Sequence, residues 1–483
     1  MTTIEYNQLY IGGTWIVPAG TGTIEVHSPA TEERIGSVPR GGEADVDAAV
    51  AAARAAFDAP DGWASWEAKD RAEVLERFAR ELEARAAETA RRVSMQNGMP
   101  IWLANNFEAG FPALLLRYYS GLMTGAPAEE VRPGMLGGSC LVSKEPIGVV
   151  AAIVPWNVPQ AISFLKIAPA LAAGCTVVLK PAEETVLDAF LMAEAAVAAG
   201  LPPGVLNVVP GGRELGAYLV AHPGVDKVSF TGSTAAGRAI ARTCGELLRP
   251  VTLELGGKSA AILLDDVDLS ASLENLFACT LLNNGQICWL GTRVLVPRNR
   301  YQEIVDAITD LAKALKVGDP LDPETKIGPL VSRRQQERVE GYIEKGKAEG
   351  RMTTGGRRPF DRGFFIEPTI FADVDNQATI SREEIFGPVL SLIPYGSDEE
   401  AIAIANDSDY GLGGSVWSAD PDRAIAVARR VHSGTVGVNH YTNDPVAPFG
   451  GIKKSGWGRE LGPEGLAGFQ VHKTVYLPPG EAK

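Results

Sequence analysis

An α/β fold built around a doubly wound parallel sheet is predicted by two features of the chain. From about residue 147, short apolar runs alternate with helical stretches, the pattern of strand–helix–strand units that yields parallel strands covered by helices. The 53 glycines and 32 prolines among 483 residues are well spread, so turns separate many regular elements. At roughly 150 residues per domain, the length accommodates about three structural units.

The early part of the chain reads as helical. Asp45–Phe57 is alanine-rich with an apolar period near that of a helix. Lys69–Ser94 reads as one long helix with Val74, Leu75, Phe78 and Leu82 on one face, ended by Gly98-Met-Pro100. The alternating series then begins. Gly148–Val154 is a buried strand, Pro155-Trp-Asn-Val-Pro159 a loop, and a helix runs on through Ala173. Thr176–Leu179, the loop Lys180-Pro-Ala-Glu183 and a helix over Val186–Ala199 repeat the unit. Leu206–Val209 with a helix through Val220, and Lys227–Phe230 with a further helix, complete it. A second alternating region runs from Ala260 to about Val438. The closing Val471–Leu477 reads as a strand with no sequence neighbour to pair with, so a cross-domain or inter-subunit partner is expected.

Composition narrows the function. A 45% hydrophobic, 22% charged chain is an ordinary globular protein, which excludes disorder and coiled coils. A net charge of −14 disfavours nucleic acid and anionic membranes. The N-terminal Met1–Glu5 has no basic region or apolar run, and the longest uncharged stretch, Ile147–Leu165, is broken by Pro155 and Pro159. A cytoplasmic protein is expected. Five cysteines without a C-x-x-C pair and five scattered histidines suggest neither a disulfide framework nor a metal site.

In a doubly wound sheet, ligands sit at the carboxyl ends of strands. Phe230-Thr-Gly232-Ser-Thr-Ala-Ala-Gly237 follows one strand and opens a helix, where free N–H groups could meet a diphosphate; a plain strand-to-helix turn reads equally well. Lys180 and Glu183 end another strand, placed either to bond ribose hydroxyls or merely to cap a helix. A carboxylate there opposes a 2′-phosphate, favouring NAD over NADP. Asn283-Asn-Gly-Gln-Ile-Cys288 puts a thiol beyond a polar, glycine-containing loop. Most cysteines are inert and buried, a reading that suits Cys140, Cys175, Cys244 and Cys279; Cys288 stands apart. Glu254, in Leu253-Glu-Leu-Gly-Gly-Lys258, is a carboxylate in an apolar strand end, where burial raises the pKa toward that of a useful base. Asn157 offers an amide in a rigid loop, suited to stabilising an oxyanion.

Taken together, Pro155-Trp-Asn157, Lys180-Pro-Ala-Glu183, Phe230-Thr-Gly-Ser233, Leu253-Glu-Leu-Gly-Gly257, Gly285-Gln-Ile-Cys288, Glu384-Ile-Phe-Gly-Pro388 and Pro448-Phe-Gly-Gly451 resemble the aldehyde dehydrogenase superfamily, in that family's order and over almost the whole chain. The resemblance implies a Rossmann-type NAD-binding domain (residues 1–124 and 147–256), a catalytic domain of related topology (257–460) and a small β oligomerisation arm (125–146 and 468–483). Homodimers or homotetramers are implied with it. It further implies Cys288 as nucleophile, Glu254 as general base, Asn157 as oxyanion donor, and Lys166 with Glu460 as a proton relay. Lys180 and Glu183 match the adenosine-ribose pair, and Glu384 and Phe386 the nicotinamide side. Ile153, Pro155, Trp156, Gly212, Gly216, Phe230, Gly232, Ser233, Leu255 and Gly256 match other cofactor-lining positions.

The substrate positions depart from many relatives. Trp289 follows the cysteine, and Val158, Ile162, Leu165, Ile287, Tyr441 and Phe449 complete an apolar lining without Arg or Lys. A hydrophobic, aliphatic or aromatic, aldehyde is expected if Trp289 lines the tunnel; Trp289 packing away from it is the alternative. Transfer of the acyl group to CoA is disfavoured because Glu254 is present. A non-catalytic relative is disfavoured because Cys288, Glu254 and Asn157 all survive.

Overall fold

The computed structural model describes residues 3–479. Met1 and Thr2 of the N-terminal segment, and residues 480–483 of the expected arm, lie outside them. Two large sheets dominate. The first has five parallel strands, ordered Val251–Glu254, Lys227–Thr231, Val149–Ile153, Thr176–Lys180 and Leu206–Val208. Chain order therefore reverses between Val149–Ile153 and Lys227–Thr231, leaving a crevice at the strands' carboxyl ends. An antiparallel hairpin, Leu9–Ile11 with Thr14–Ile16, extends one edge. At the other edge the short strand Gly456–Trp457 pairs antiparallel with Val251–Glu254, setting Leu253 against Trp457 and Glu254 against Gly456.

The second sheet carries six parallel strands, centred on Ala260–Leu263 between Arg293–Pro297 and Gly414–Trp417, with Arg351–Thr354 antiparallel at its edge. Helices cover both sheets. Pro159–Ala173 is buried over its whole length and lies against the core of the first sheet.

The closing strand finds its partner within the chain. Gln470–Leu477 pairs antiparallel with Ser139–Pro146, which in turn pairs with Glu129–Pro133, forming a separate three-stranded sheet. Cys140 sits on this sheet and is only partly buried, so the expectation of a buried thiol fails there. A second correction concerns Lys69–Ser94. It is two helices, Ala68–Ala84 and Ala86–Asn97, broken at Arg85, whose backbone (φ −104°, ψ 5°) leaves the helical region. The break lets the second helix bury Val93, Gln96 and Asn97, which one straight rod would aim elsewhere. That helix ends as expected at Gly98, which is left-handed (φ 81°) and so close to Pro329 that a Cβ would lie 2.5 Å from its carbonyl oxygen. Beyond it comes a feature the sequence pattern did not suggest, a π-helical turn over Asn105–Ala109.

Candidate active site

Cys288 stands at the end of a strained turn. Asn283, Asn284 and Gly285 all have left-handed backbones, with φ of 50°, 61° and 75°. Side chains hold the two asparagines there. Asn284 Nδ2 donates to the carbonyls of Gly98 (2.9 Å) and Pro329 (3.0 Å), and its Oδ1 accepts from the Gly328 N–H (2.6 Å). Asn283 Nδ2 donates to the Asn157 carbonyl (2.9 Å). Gly285 is pressed against Gly387, where a Cβ would lie 2.1 Å from the carbonyl oxygen. Asn157 is fixed by the same web: its Nδ2 donates to the Gln286 carbonyl (2.8 Å), leaving its second amide hydrogen uncommitted.

Two cavities meet at Cys288, sharing Asn157, Ile162 and Thr231 as well. One, of about 720 Å³, is almost wholly apolar. Val158, Ile162, Leu165, Ile287, Trp289 and Phe449 line it as expected, with Glu254 and Glu460 at its polar end. Trp289 thus faces the cavity. Tyr441 does not line it; its ring stacks behind Trp289 at 4.4 Å, and its hydroxyl bonds Thr435 Oγ1 (2.5 Å). The large indole fills the space that Tyr441 would need to reach the wall. Met99, Leu103, Phe107, Phe111, Ala161 and Asn443 also line this cavity and were missed. Apolar residues at helical spacing carry only a core signal in sequence.

The other cavity, about 770 Å³, is walled by Pro155, Trp156, Gly232, Ser233, Leu255, Gly256, Glu384 and Phe386. It shares Pro155, Thr231 and Gly232 with a third, about 1100 Å³, lined by Ile153, Lys180, Glu183, Gly212, Gly216 and Phe230. Gln335 and Arg338 were missed. Gln335 Nε2 donates to the Phe386 carbonyl (2.8 Å) and Arg338 Nη2 to that of Glu384 (2.6 Å), holding Phe386 in a left-handed backbone (φ 62°) edge-on to Trp156.

Electrostatics differ across the junction. Burial, with Glu384 and Glu254 nearby, pushes the Cys288 thiol well up. Burial and the neighbouring Glu460 raise Glu254 well above the usual carboxylate range, and neither of its oxygens has a hydrogen-bond partner among the described residues. Lys166 Nζ donates to Glu460 Oε1 (2.5 Å) and Thr231 Oγ1 (2.7 Å). Burial pushes Glu384 up to about 7, although its Oε1 accepts from the Gly257 N–H at 2.9 Å. Lys180 is lowered to about 8 by burial; its Nζ donates to the Gly211 carbonyl (2.7 Å). Glu183 is paired with Arg40.

Residues 15–475 match the model of the aldehyde dehydrogenase family. The chain belongs to the aldehyde dehydrogenase family. Within it, this aldehyde dehydrogenase is 55% identical to a geranial dehydrogenase of Castellaniella defragrans, over 98% of this chain and 99% of that relative. A Mycobacterium tuberculosis aldehyde dehydrogenase solved with NAD+ is 49% identical, with a TM-score of 0.97 over the full length of both. A Pseudomonas syringae aldehyde dehydrogenase C variant solved with NAD+ and octanal is 41% identical, with a TM-score of 0.93 over 97% of this chain and 96% of that one.

Proposed function

We propose that this aldehyde dehydrogenase oxidises hydrophobic aldehydes to carboxylic acids with NAD, through a covalent thioester on Cys288. The observation that carries this is the position of Cys288, where an apolar cavity meets a glycine-lined crevice. The crevice fits a dinucleotide. A Cβ on Gly232 would lie 2.5 Å from the Phe230 ring, and one on Gly256 2.3 Å from Glu384 Oε2, so only glycine leaves both surfaces open. Lys180 and Glu183 would hold the adenosine ribose, and the Glu183 carboxylate opposes a 2′-phosphate. Glu384, with Phe386 beside it, would hold the nicotinamide side.

Cys288 Sγ, once deprotonated, adds to the aldehyde carbon, and the carbonyl oxygen becomes an oxyanion facing the free Asn157 amide hydrogen. NAD held in the crevice by Lys180, Glu183 and Glu384 would supply the hydride acceptor, and loss of hydride from this carbon leaves a thioester on Cys288. Glu254, buried and raised well above the usual carboxylate range, takes a proton from water as that water attacks the thioester, releasing the acid and returning the Cys288 thiolate. Lys166 and Glu460 form a buried path by which that proton can leave. The apolar wall, together with relatives named for geranial and solved with octanal, supports a hydrophobic tail on the substrate.

The exposed Val131, Val475 and Tyr476 on the three-stranded sheet support a homo-oligomer assembled through it. Free cysteines support a cytoplasmic setting; no described helix is long and apolar enough to cross a membrane. The test is absorbance at 340 nm with NAD or NADP and a panel of aldehydes, beside Cys288→Ala. NADH formation that is greatest with long apolar aldehydes and vanishes in the variant is expected. Highest kcat/KM for small or charged aldehydes would overturn the substrate class.

A further inference from the structure

The helix Pro159–Ala173 brings Ile162 and Leu165 to the apolar cavity and Lys166 to Glu460, yet its N-terminus has no cap of its own. Val158 precedes it without a side-chain acceptor, Pro159 lacks an N–H, and the first turn is buried. The acceptor comes from elsewhere in the chain. Glu108 Oε2 takes the N–H of Gln160 at 2.7 Å and that of Ala161 at 3.4 Å. Glu108 is itself fully buried within the π-helical turn Asn105–Ala109. On either side of it stand Phe107 and Phe111, whose rings lie 6.5 Å apart and line the same cavity.

We propose that Glu108 is a positioning residue for the hydrocarbon tail of the substrate: its carboxyl group clamps the segment bearing Phe107 and Phe111 to the helix bearing Ile162 and Leu165, and so fixes the spacing between two walls of the cavity. A buried carboxyl is costly to keep where an apolar side chain would fill the same space. Here it carries no ion pair; its Oε1 has no hydrogen-bond partner among the described residues. What it does hold is the helix N-terminus, where both the free amides and the helix dipole favour an acceptor. Burial and the neighbouring Asp188 raise its pKa to about 8, while the two amides pull it down. Asp188 accepts from the side-chain amides of Gln96 and Gln160, so it meets the same first turn through a side chain, while Glu108 takes the turn's backbone amides. The π-helical turn is what aims Glu108 at the helix while its neighbours Phe107 and Phe111 face the cavity.

The inference rests on reading this cavity as the tail site, and the carbonyl end is governed by other residues, Cys288, Asn157 and Glu254. A three-carbon aldehyde has no tail to meet Phe107 or Phe111. Steady-state kinetics with propanal and octanal on the wild type, Glu108→Ala and Glu108→Gln separate the possibilities. In Glu108→Ala, KM for octanal should rise roughly tenfold with kcat within about threefold, while KM for propanal stays within about twofold. Glu108→Gln keeps the volume and one acceptor oxygen, and should shift the octanal-to-propanal ratio the same way by less. Equal effects on both aldehydes, or none, would overturn the clamp. If Glu108→Ala fails to fold, the ratio in Glu108→Gln decides alone. A wild type inactive on both aldehydes would instead overturn the reading of the site.

Discussion

At the scale of single residues, the proposed nucleophile and base both lie in surroundings that disfavour their charged forms. The Cys288 thiol is raised by burial and by Glu384 and Glu254, so little thiolate exists near neutrality without cofactor. Alkylation of the free enzyme by iodoacetamide should therefore accelerate about tenfold per pH unit across and above pH 9; a rate already level by pH 7 would contradict this. Glu254→Gln should lower kcat by about 10²–10⁴-fold while sparing the first turnover, seen as an NADH burst in stopped flow. Loss of the burst as well would move Glu254 to the first step. The same substitution bears on stability. Because the folded pKa of Glu254 is raised, its contribution is fully present below the unfolded value near 4.5 and fades as pH rises toward the folded one. The stability of Glu254→Gln relative to wild type should therefore increase between pH 5 and 7 in urea titrations. Cys288, Glu254 and Asn157 were legible because each pairs a reactive side chain with an unusual local setting. Lys166 and Glu460, 294 residues apart in sequence, became legible only through the family resemblance. Phe107 and Phe111 were not legible, since an aromatic pair four residues apart on a helix looks the same in a core as in a tunnel.

Among the elements, the turn before Cys288 concentrates the most commitments. Gly285 combines a left-handed backbone with close contact to Gly387. Gly285→Ala should reduce kcat/KM by at least about a hundredfold, because the Cβ pushes the turn off its place and a 1 Å misplacement is worth about that much. Asn284→Ala removes three hydrogen bonds from a buried site and should cost about 3 kcal/mol, at roughly 1 kcal/mol each, in urea unfolding. The parallel strands were readable from their alternation with helices, since a buried strand needs a continuous apolar run. The break at Arg85 was not. Neither glycine nor proline marks it, and the bend serves contacts to the first sheet's helices that no local pattern encodes. The π-helical turn was hidden for the same reason.

For the whole molecule, the three-stranded sheet leaves Tyr476 80% exposed and Val475 45% exposed, on a strand whose partner within the chain is already satisfied. Replacing both by Lys should lower the mass seen by analytical ultracentrifugation, with far-UV circular dichroism unchanged. An unchanged mass would place the subunit contact elsewhere. The short Gly456–Trp457 strand has a consequence of another kind. It completes the edge beside Glu254, yet it is translated well after Cys288. A nascent chain thus carries Cys288 and its turn well before the strand that borders the base has emerged, and before Glu460 follows it. Products that terminate early keep a bare strand edge, the template on which β-aggregation starts. In this chain translation must run on to Glu460 before the chemistry at Cys288 has its full surroundings.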